Sequence, residues 1–260
     1  MNLVPIFEVA ELNPFSAHQA KQRRIPAILD KVKAIHLKRQ KTVQLVDDLL
    51  KSRFVEMFGD PMVNLKGWEQ KPLFATLEED SFVTKGIAQM GDDTTCGVPV
   101  FRPVDITDGK IPKLSDLKRT TKGISDNHAR TLLRGYELLI TVGGSIGETF
   151  QVTPEFEGCN VAWNIVPLRL NTKILQYTFM ENLIKQQSFR KALTDIRKGI
   201  ALQSLNMGEL REIKIILPPL HLQTRFAGFV RLADKSKLPM KKSLEELGTL
   251  QKSLMRERFG

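Results

Sequence analysis

Basic side chains are the most abundant candidates for binding chemistry in this sequence, and they occur in clusters. The 260 residues include 39 Lys and Arg against 29 Asp and Glu, a net charge of +10, with a pI near 9.6. This excess suggests a polyanionic partner without choosing among DNA, RNA and a membrane surface. A solvated basic face is the alternative for each cluster. The two clusters are Lys110, Lys113, Lys118, Arg119, Lys122, Arg130 and Arg134, and then Lys185, Arg190, Lys191, Arg197 and Lys198.

Motifs that would carry catalysis are incomplete in this chain. Asn13-Pro14-Phe15 resembles the amine-gripping motif of amino-methyltransferases, but it lacks the second proline and a glycine-rich cofactor loop. The run 143–147 (GGSIG) lacks the lysine and the glycine spacing of a phosphate loop, so it predicts a tight turn between strands. The four histidines lack metal-ligand spacing, and Cys96 and Cys159 suggest neither a disulfide framework nor a metal site. We therefore expect a chain without a catalytic or metal site.

Neither membrane insertion nor secretion is indicated by the sequence. No apolar run approaches the ~20 residues that a membrane-spanning helix requires. The N-terminus carries acids where a secretory signal would carry bases. A reducing cytoplasm is therefore the expected location.

An internal repeat links the two ends of the chain. Residues 224–260 align without a gap on residues 23–59, and both copies end in Phe-Gly. Apolar residues recur in both at steps of three and four, which predicts two amphipathic helices with Gly59 and Gly260 as C-cap residues. Each apolar stripe is narrow, so the copies should pack against each other or against another chain. Two unrelated amphipathic helices are the alternative.

Two prolines distinguish the copies of the repeat. Pro26 is expected in the first turn of the first helix, where proline is tolerated. Pro239 falls in the middle of the second copy, so a break is expected between Ser236 and Pro239.

The middle of the chain has the pattern of an α+β domain with a mixed or antiparallel sheet. Short strand-like runs occur at 97–102, 137–142, 163–170 and 213–217. Turn residues separate them, notably at 108–109 and 143–147. Helical spacing returns over residues 175–193.

Several of these runs resemble blocks of the type I restriction-modification specificity (S) subunits. Residues 51–61 (KSRFVEMFGDP), with Gly67-Trp68, resemble the join between the central helical region and the second target-recognition domain. Residues 99–109 and 138–147 resemble two strand-and-turn blocks of that domain. Residues 199–206, with the Leu-Pro-Pro-Leu at 217–220 and Gln223, resemble the exit into the distal helical region. The resemblance covers about residues 25–260.

The resemblance implies an α+β fold in which one target-recognition domain is flanked by two long helices that form an antiparallel coiled coil. The expected segments are an N-terminal segment 1–24, a first helical spacer repeat 25–60, the recognition domain 61–218 and a second spacer repeat 219–260. A usual family member alternates two recognition domains with two helical regions. The single domain here suggests a half-subunit, a truncated form or a designed fragment.

The implied function is sequence-specific recognition of double-stranded DNA on behalf of other subunits. Modification subunits would bind S-adenosylmethionine and methylate adenine, and a restriction subunit would use ATP and magnesium. This chain would bind no cofactor, and a homodimer would supply two recognition domains. A stand-alone coiled-coil DNA-binding regulator and a scaffold without a DNA role are the alternatives.

Candidate DNA contacts follow from donor chemistry next to predicted loops. Trp68 and Trp163 are interpreted as core residues rather than base-stacking platforms. For each candidate, the alternative role is a solvent-exposed base or a loop-capping hydrogen bond. The candidates are Lys85, Arg102, Lys118, Arg119, Lys122, Arg130, Arg197, Lys198, Gln203 and Ser204.

Overall fold

A computed structural model describes residues 14–107, 112–198 and 204–259. The chain divides into two compact units. The helical unit comprises Met1–Leu49 with Leu232–Gly260, and the α/β unit comprises Leu50–Arg231.

The elements follow the α+β pattern that the sequence predicts. The four predicted strand runs contain β2, β4, β7 and β10, and the run 175–193 contains α4 and most of α5. The helices are α1 (Pro14–Phe58), α2 (Pro103–Ile106), α3 (Lys122–Asp126), α4 (Tyr177–Ile184), α5 (Gln187–Asp195), α6 (Met207–Glu212) and α7 (Leu220–Phe259). The strands are β1 (Gln70–Pro72), β2 (Val98–Phe101), β3 (Lys118–Thr120), β4 (Leu138–Thr141), β5 (Thr149–Gln151), β6 (Asn160–Val161), β7 (Ile165–Leu168), β8 (Arg197–Lys198), β9 (Ser204–Leu205) and β10 (Lys214–Ile216).

The strands form small sheets with mixed pairing. Strand β2 lies between an antiparallel β3 and a parallel β6, and β4 lies between β5 and β7, both antiparallel. Two-stranded antiparallel sheets join β1 to β10 and β8 to β9. The expected mixed or antiparallel domain is confirmed, and it is built from several short sheets rather than one.

One hydrophobic core takes its members from both three-stranded sheets. They lie on β2, α2, β4, β6, β7 and the connecting segments, so distant parts of the sequence are held together by apolar burial. Phe101 and Phe156 are in edge-to-face contact, with ring centroids 5.0 Å apart. The buried members are Phe101, Ile106, Leu117, Leu133, Leu139, Val152, Phe156, Cys159, Val161 and Ile165.

A cluster of four phenylalanines joins the ends of both long helices to α4. Phe54 and Phe58 of α1 contact Phe179 of α4 and Phe226 of α7, with centroid distances between 4.9 and 5.5 Å. All four side chains are fully buried. Phe58 lies near Phe226, while the Arg53 guanidinium lies 5.8 Å from the ring centre of Phe229. The residue numbers run in opposite directions, so α1 and α7 are antiparallel in this unit.

The loop after α1 caps the end of that helix. Gly59 has a φ of +78° and donates its N–H to the Val55 carbonyl at 2.8 Å, as a C-cap glycine does. Lys66 Nζ donates to the carbonyls of Glu56 and Met57, and Trp68 Nε1 donates to the Phe58 carbonyl at 2.8 Å. The predicted role of Gly59 is confirmed, whereas Gly260 lies outside the described residues.

Within the helical unit, an ion pair links the two long helices. Lys237 Nζ lies 2.8 Å from Asp47 of α1 and 2.8 Å from Asp234 of its own helix. Burial alone would lower the pKa of Lys237, but hydrogen bonds to Asp234 and Asp47 outweigh burial and raise it. The lysine therefore stays charged and holds the two helices together at this level.

The prolines of the long helices do not lie where the sequence pattern places them. Helix α1 begins at Pro14, so Pro26 lies inside it and the expectation of a first-turn position is wrong. Helix α7 continues through Pro239, so the expected break between Ser236 and Pro239 is wrong as well. Lys235 and Pro239 are exposed, so water can bind the carbonyl that the proline leaves without a donor.

Candidate nucleic-acid interface

Backbone hydrogen bonds hold Lys85 beside the turn that carries Trp163. Gly86 and Ile87 donate their N–H groups to the carbonyls of Ile165 and Val161, and Trp163 donates to the Ile87 carbonyl at 2.8 Å. A side chain at position 86 would have its Cβ 1.9 Å from the Val161 carbonyl oxygen, so only glycine permits this approach. The fold therefore fixes the position of Lys85 relative to Trp163.

The Lys85 ammonium contacts a hydroxyl and an aromatic face. Its Nζ donates a hydrogen bond to Ser204 Oγ and lies 5.0 Å from the centre of the Trp163 ring. Partial burial lowers the pKa of Lys85. Among the described residues, no carboxylate lies within ion-pair distance of it.

The glycine turn after β4 lies next to this contact. Gly143 forms a bridge with Ser204, and the Leu205 N–H donates to the Val142 carbonyl at 2.9 Å. Gly144, with a φ of +71°, and Ser145 are exposed at the turn between the antiparallel strands β4 and β5. The predicted tight turn is confirmed.

Strands β8 and β9 bring further predicted contacts to the same place. Lys198 pairs with Ser204 and Arg197 with Leu205 in the strand register. Gln203 lies outside the described residues. The structure thus brings together Lys85, Ser204 and β8, the strand that contains Arg197 and Lys198. We call these residues, together with Trp163 and Gly144-Ser145, the Lys85 surface.

The predicted contacts around β2 and β3 are largely engaged in contacts within the chain. Arg102 forms a bidentate pair with Asp105 at 3.0 and 2.7 Å, and this hydrogen-bonded pairing raises the pKa of Arg102. Arg119 donates to the Gly97 carbonyl at 2.8 Å. Lys118 is exposed on β3, and the exposed Lys122 lies 2.7 Å from Asp126.

Arg130 and Arg134 lie against the segment that precedes Lys85. The Arg130 guanidinium lies 5.0 Å from the centre of the exposed Phe82 ring. Arg134 forms an ion pair with Asp80, and that hydrogen bond holds the pKa of Asp80 below its usual value. Arg134 is therefore neutralised locally, whereas Arg130 faces only an aromatic ring among the contacts that the described residues make.

The second basic cluster does not form one free basic face. Arg190 lies 3.0 Å from Glu148 and donates to the Gly147 carbonyl at 3.1 Å. Lys185 pairs with Glu181 one turn earlier in the same helix. Arg190 therefore stabilises the glycine turn and Lys185 stabilises α4. The last two residues of the cluster, Arg197 and Lys198, form β8.

Residues 74–247 match the family described as the type I restriction modification DNA specificity domain. The chain belongs to this family. A relative, the type I restriction enzyme EcoBI specificity subunit of Escherichia coli, is 23% identical over 247 residues, which cover 93% of this chain and 52% of that protein. The chain therefore spans about half the length of the curated relative.

Solved structures with the same fold also come from type I systems. One, described as the structural basis of complex assembly and conformational transition of the type I R-M system, has a TM-score of 0.57 and 17% identity, with coverage of 95% of this chain and 60% of the other. The HsdS subunit of Thermoanaerobacter tengcongensis has a TM-score of 0.51 and 19% identity, with coverage of 92% and 58%. At these identities the similarity shows the fold.

The two tryptophans of this specificity-domain family member differ in their exposure to solvent. Its side chain is 48% exposed, so the interpretation as a core residue is wrong for Trp163. Trp68 is half-buried with its indole N–H bonded to the end of α1. Trp163 opens the predicted strand run 163–170, but residues 162–164 connect β6 to β7 and expose the ring. The two asparagines of the Asn-Val-Ala-Trp-Asn sequence at 160–164 are the local signal that could have predicted a turn at Trp163.

The residues that could carry other chemistry are dispersed in the described part of the chain. Across residues 14–107, 112–198 and 204–259, no three His, Cys, Asp or Glu side chains are grouped for metal binding. Cys96 is exposed and Cys159 is buried. Asn13 lies outside the described residues, and Pro14-Phe15 begin α1. No helix in the described part of the chain is long and apolar enough to cross a membrane.

Proposed function

We propose that this chain is a sequence-specific DNA recognition subunit of a type I restriction-modification complex, with no catalytic activity of its own. The observation that carries the proposal is the family match, which extends over most of the α/β unit. The Lys85 surface supports it, because a half-buried cation beside an exposed aromatic ring suits contact with DNA bases. We propose that the other candidate cations contact phosphates and set the register on the duplex.

Partner subunits would supply the chemistry. We propose that modification subunits bind S-adenosylmethionine and methylate adenine, and that a restriction subunit uses ATP and magnesium, all in the cytoplasm. Large apolar side chains that remain exposed on the long helices support association with another chain. They include Leu37 and Leu45 on α1 and Leu232 and Leu238 on α7, which are between 58% and 70% exposed.

The long helices would act as a spacer, which we propose is an antiparallel coiled coil. The 45 residues of α1 correspond to about 68 Å at 1.5 Å per residue. A turn of duplex measures about 34 Å, so the helices are long enough to separate two half-sites.

We further propose that two copies of the chain can associate through these helices. A twofold axis would then make the two half-sites identical in inverted orientation. Light scattering on the complete complex and the symmetry of the methylated sequence test this assembly. A complex with a single copy, or a motif with two different halves, contradicts it.

The function is tested by mapping methylated adenines in the source cell with and without this gene. We expect one interrupted adenine-methylation motif to disappear on deletion, and the chain to co-purify with a methyltransferase. Specific DNA binding by the isolated chain, with an unchanged methylation map, would support a stand-alone regulator. Failure to bind duplex DNA at any salt concentration would favour a scaffold.

A further inference from the structure

Lys85 is a partly buried cation of the α/β unit for which the described residues provide no acidic partner. Arg102 pairs with Asp105, Arg169 with Glu137 and Arg190 with Glu148. Lys85 has only the Ser204 hydroxyl and the Trp163 ring among the contacts that the described residues provide. Residues 199–203 (GIALQ), which precede Ser204 in the sequence, contain no acid.

An uncompensated cation at a half-buried position is unfavourable for folding. Removing part of its hydration costs free energy, and the described residues offer Lys85 no opposite charge that restores it. A hydroxyl and an aromatic face stabilise an ammonium less than a carboxylate does. Such an arrangement is typical of a binding site in which an electronegative ligand completes the coordination.

The geometry also holds the ammonium in a fixed place. Gly86 and Ile87 are bonded to β6 and β7, and Ser204 is bridged to Gly143. The Trp163 ring and the Gly144-Ser145 turn are exposed beside it. A phosphate contact needs only an exposed lysine such as Lys118, whereas base discrimination requires a positioned donor.

We infer that Lys85 reads a guanine in the major groove, with Trp163 and Ser204 as its positioning residues. An ammonium has donors and no acceptor. Guanine is the base that presents two adjacent acceptors there, O6 and N7, whereas adenine places a donor beside its acceptor. This inference rests on the proposed function, and it adds the base and the side chain that recognises it.

The test uses the full chain co-purified with its modification subunits. A library of duplexes with a randomised core first yields the preferred sequence of the parent complex. Each guanine of that sequence is then replaced singly by 7-deazaguanine, which lacks the N7 acceptor. Binding of each duplex is measured for the parent and for Lys85→Met, which keeps the aliphatic stem and removes the charge.

The parent and Lys85→Met should differ in their response to 7-deazaguanine at one guanine of the preferred sequence. Lys85→Met should weaken binding of the preferred duplex about 5- to 150-fold and leave binding of unrelated duplexes unchanged. At that guanine, 7-deazaguanine should weaken the parent and have no further effect on the variant. Lys85→Gln should shift the preferred base there from guanine to adenine, because glutamine matches the adenine N6 and N7 edge.

Matched variants distinguish a loss of base recognition from a loss of folding stability. Lys122→Met removes an exposed cation paired with Asp126, so any weakening of binding should be equal on all duplexes and the base preference at every position should stay intact. Trp163→Phe should retain the guanine preference because a ring remains under the ammonium, whereas Trp163→Ala should reduce it at the same position. Lys85→Met should melt no lower than the parent, because it removes an uncompensated charge; Lys85→Gln provides the same test if the Met variant does not fold.

Two outcomes overturn the inference. Equal weakening on all duplexes, with a salt dependence shallower by about 0.9 in the log–log slope, would make Lys85 a phosphate contact. Retention of the parent's full preference by both Lys85 variants would remove Lys85 from base recognition. Failure of the proposed function gives a different result, because the parent complex would then select no sequence from the library.

Discussion

The helical unit and the α/β unit bury their apolar side chains to different extents. In the α/β unit, the cores around Phe101 and Phe54 consist of fully buried side chains. In the helical unit, Leu29 and Val32 are buried. Val46 and Leu247, which belong to the narrow apolar stripes of the two repeat copies, are only half-buried, and we call these stripes the seam. The α/β unit is therefore held together from within, whereas the helices retain apolar surface that another chain can cover.

The polar interactions of the two units show the same contrast. Glu137 is completely buried; it accepts hydrogen bonds from the backbone N–H groups of residues 134–136 and lies 3.1 Å from Arg169 Nε. Arg169 also donates to the Leu132 carbonyl at 2.7 Å. The corresponding link in the helical unit, Lys237 to Asp47, joins side chains that solvent partly reaches.

The largest effect is expected from breaking the buried pair of the α/β unit. Arg169→Met should destabilise the chain by about 3–5 kcal/mol, because Glu137 would remain buried without its cation. Urea unfolding measures the change. Arg134→Met is the matched control, since its ion pair with Asp80 is exposed and should contribute little. Equal losses from both variants would contradict the view that this unit is held from within.

A smaller loss is expected from charging the seam of the helical unit. Val46→Asp and Leu247→Asp should each cost about 1–3 kcal/mol, because an unpaired carboxylate would enter a partly dehydrated interface. Thermal melting and the size of the complex report the effect.

Neighbouring residues on the same helices provide the control. Leu45→Asp and Leu250→Asp alter side chains that are 58% and 45% exposed, so the stability of the isolated chain should hardly change. Reduced co-purification with partner subunits in these exposed variants would indicate that the exposed leucines contact another chain. Parent-like melting and assembly of both seam variants would show that the helices do not pair through this seam.

The basic cluster on β3 and α3 should affect DNA binding rather than stability. Replacing Lys118, Arg119 and Lys122 with Met should weaken binding to all sequences alike if their side chains contact phosphates. The slope of log affinity against log salt should fall by about 0.9 for each lost contact. An unchanged slope would assign the cluster to a solvated face, which the pairing of Lys122 with Asp126 would then explain.

The smallest effect concerns the two thiols of the α/β unit. Burial raises the pKa of Cys159 to about 11 from 9.0, whereas Cys96 is exposed. A thiol reagent at pH 8 should therefore modify Cys96 rapidly and Cys159 only after unfolding. Because the folded pKa of Cys159 is the higher one, its contribution to stability is complete below pH 9 and is lost between pH 9 and 11. Rapid modification of both thiols at pH 8 would show that this core opens readily.

Much of the fold was predictable because apolar periodicity reports burial. The runs containing β2, β4, β7 and β10 and the glycine turn after β4 follow directly from local sequence. Strands β8 and β9 have two residues each, and their pairing depends on tertiary contacts that no local pattern carries. The uninterrupted α7 also differs from expectation, because an exposed proline disturbs a packed helix less than its intrinsic propensity indicates.

The candidate site was predictable in its residue types and only partly in its arrangement. Donor chemistry selects Lys85 and Ser204 separately, but they are 119 residues apart in sequence and meet only in the folded chain. The same criterion selects Arg102 and Lys122, whose acidic neighbours cannot be assigned as partners without coordinates. The core position predicted for Trp163 is wrong because an aromatic residue at the start of an apolar run resembles a buried strand residue.

The phenylalanine cluster determines where a recognition domain could be exchanged between related chains. Phe54, Phe58 and Phe226 come from the long helices, yet they complete a core with Phe179 of α4. A transplant joined at residues 61 and 218 would take Phe179 and leave its three aromatic neighbours behind. Junctions near residues 49 and 232 keep the four rings together. A chimera built there therefore receives the complete aromatic core, with the helix ends that pack against it, from one donor chain.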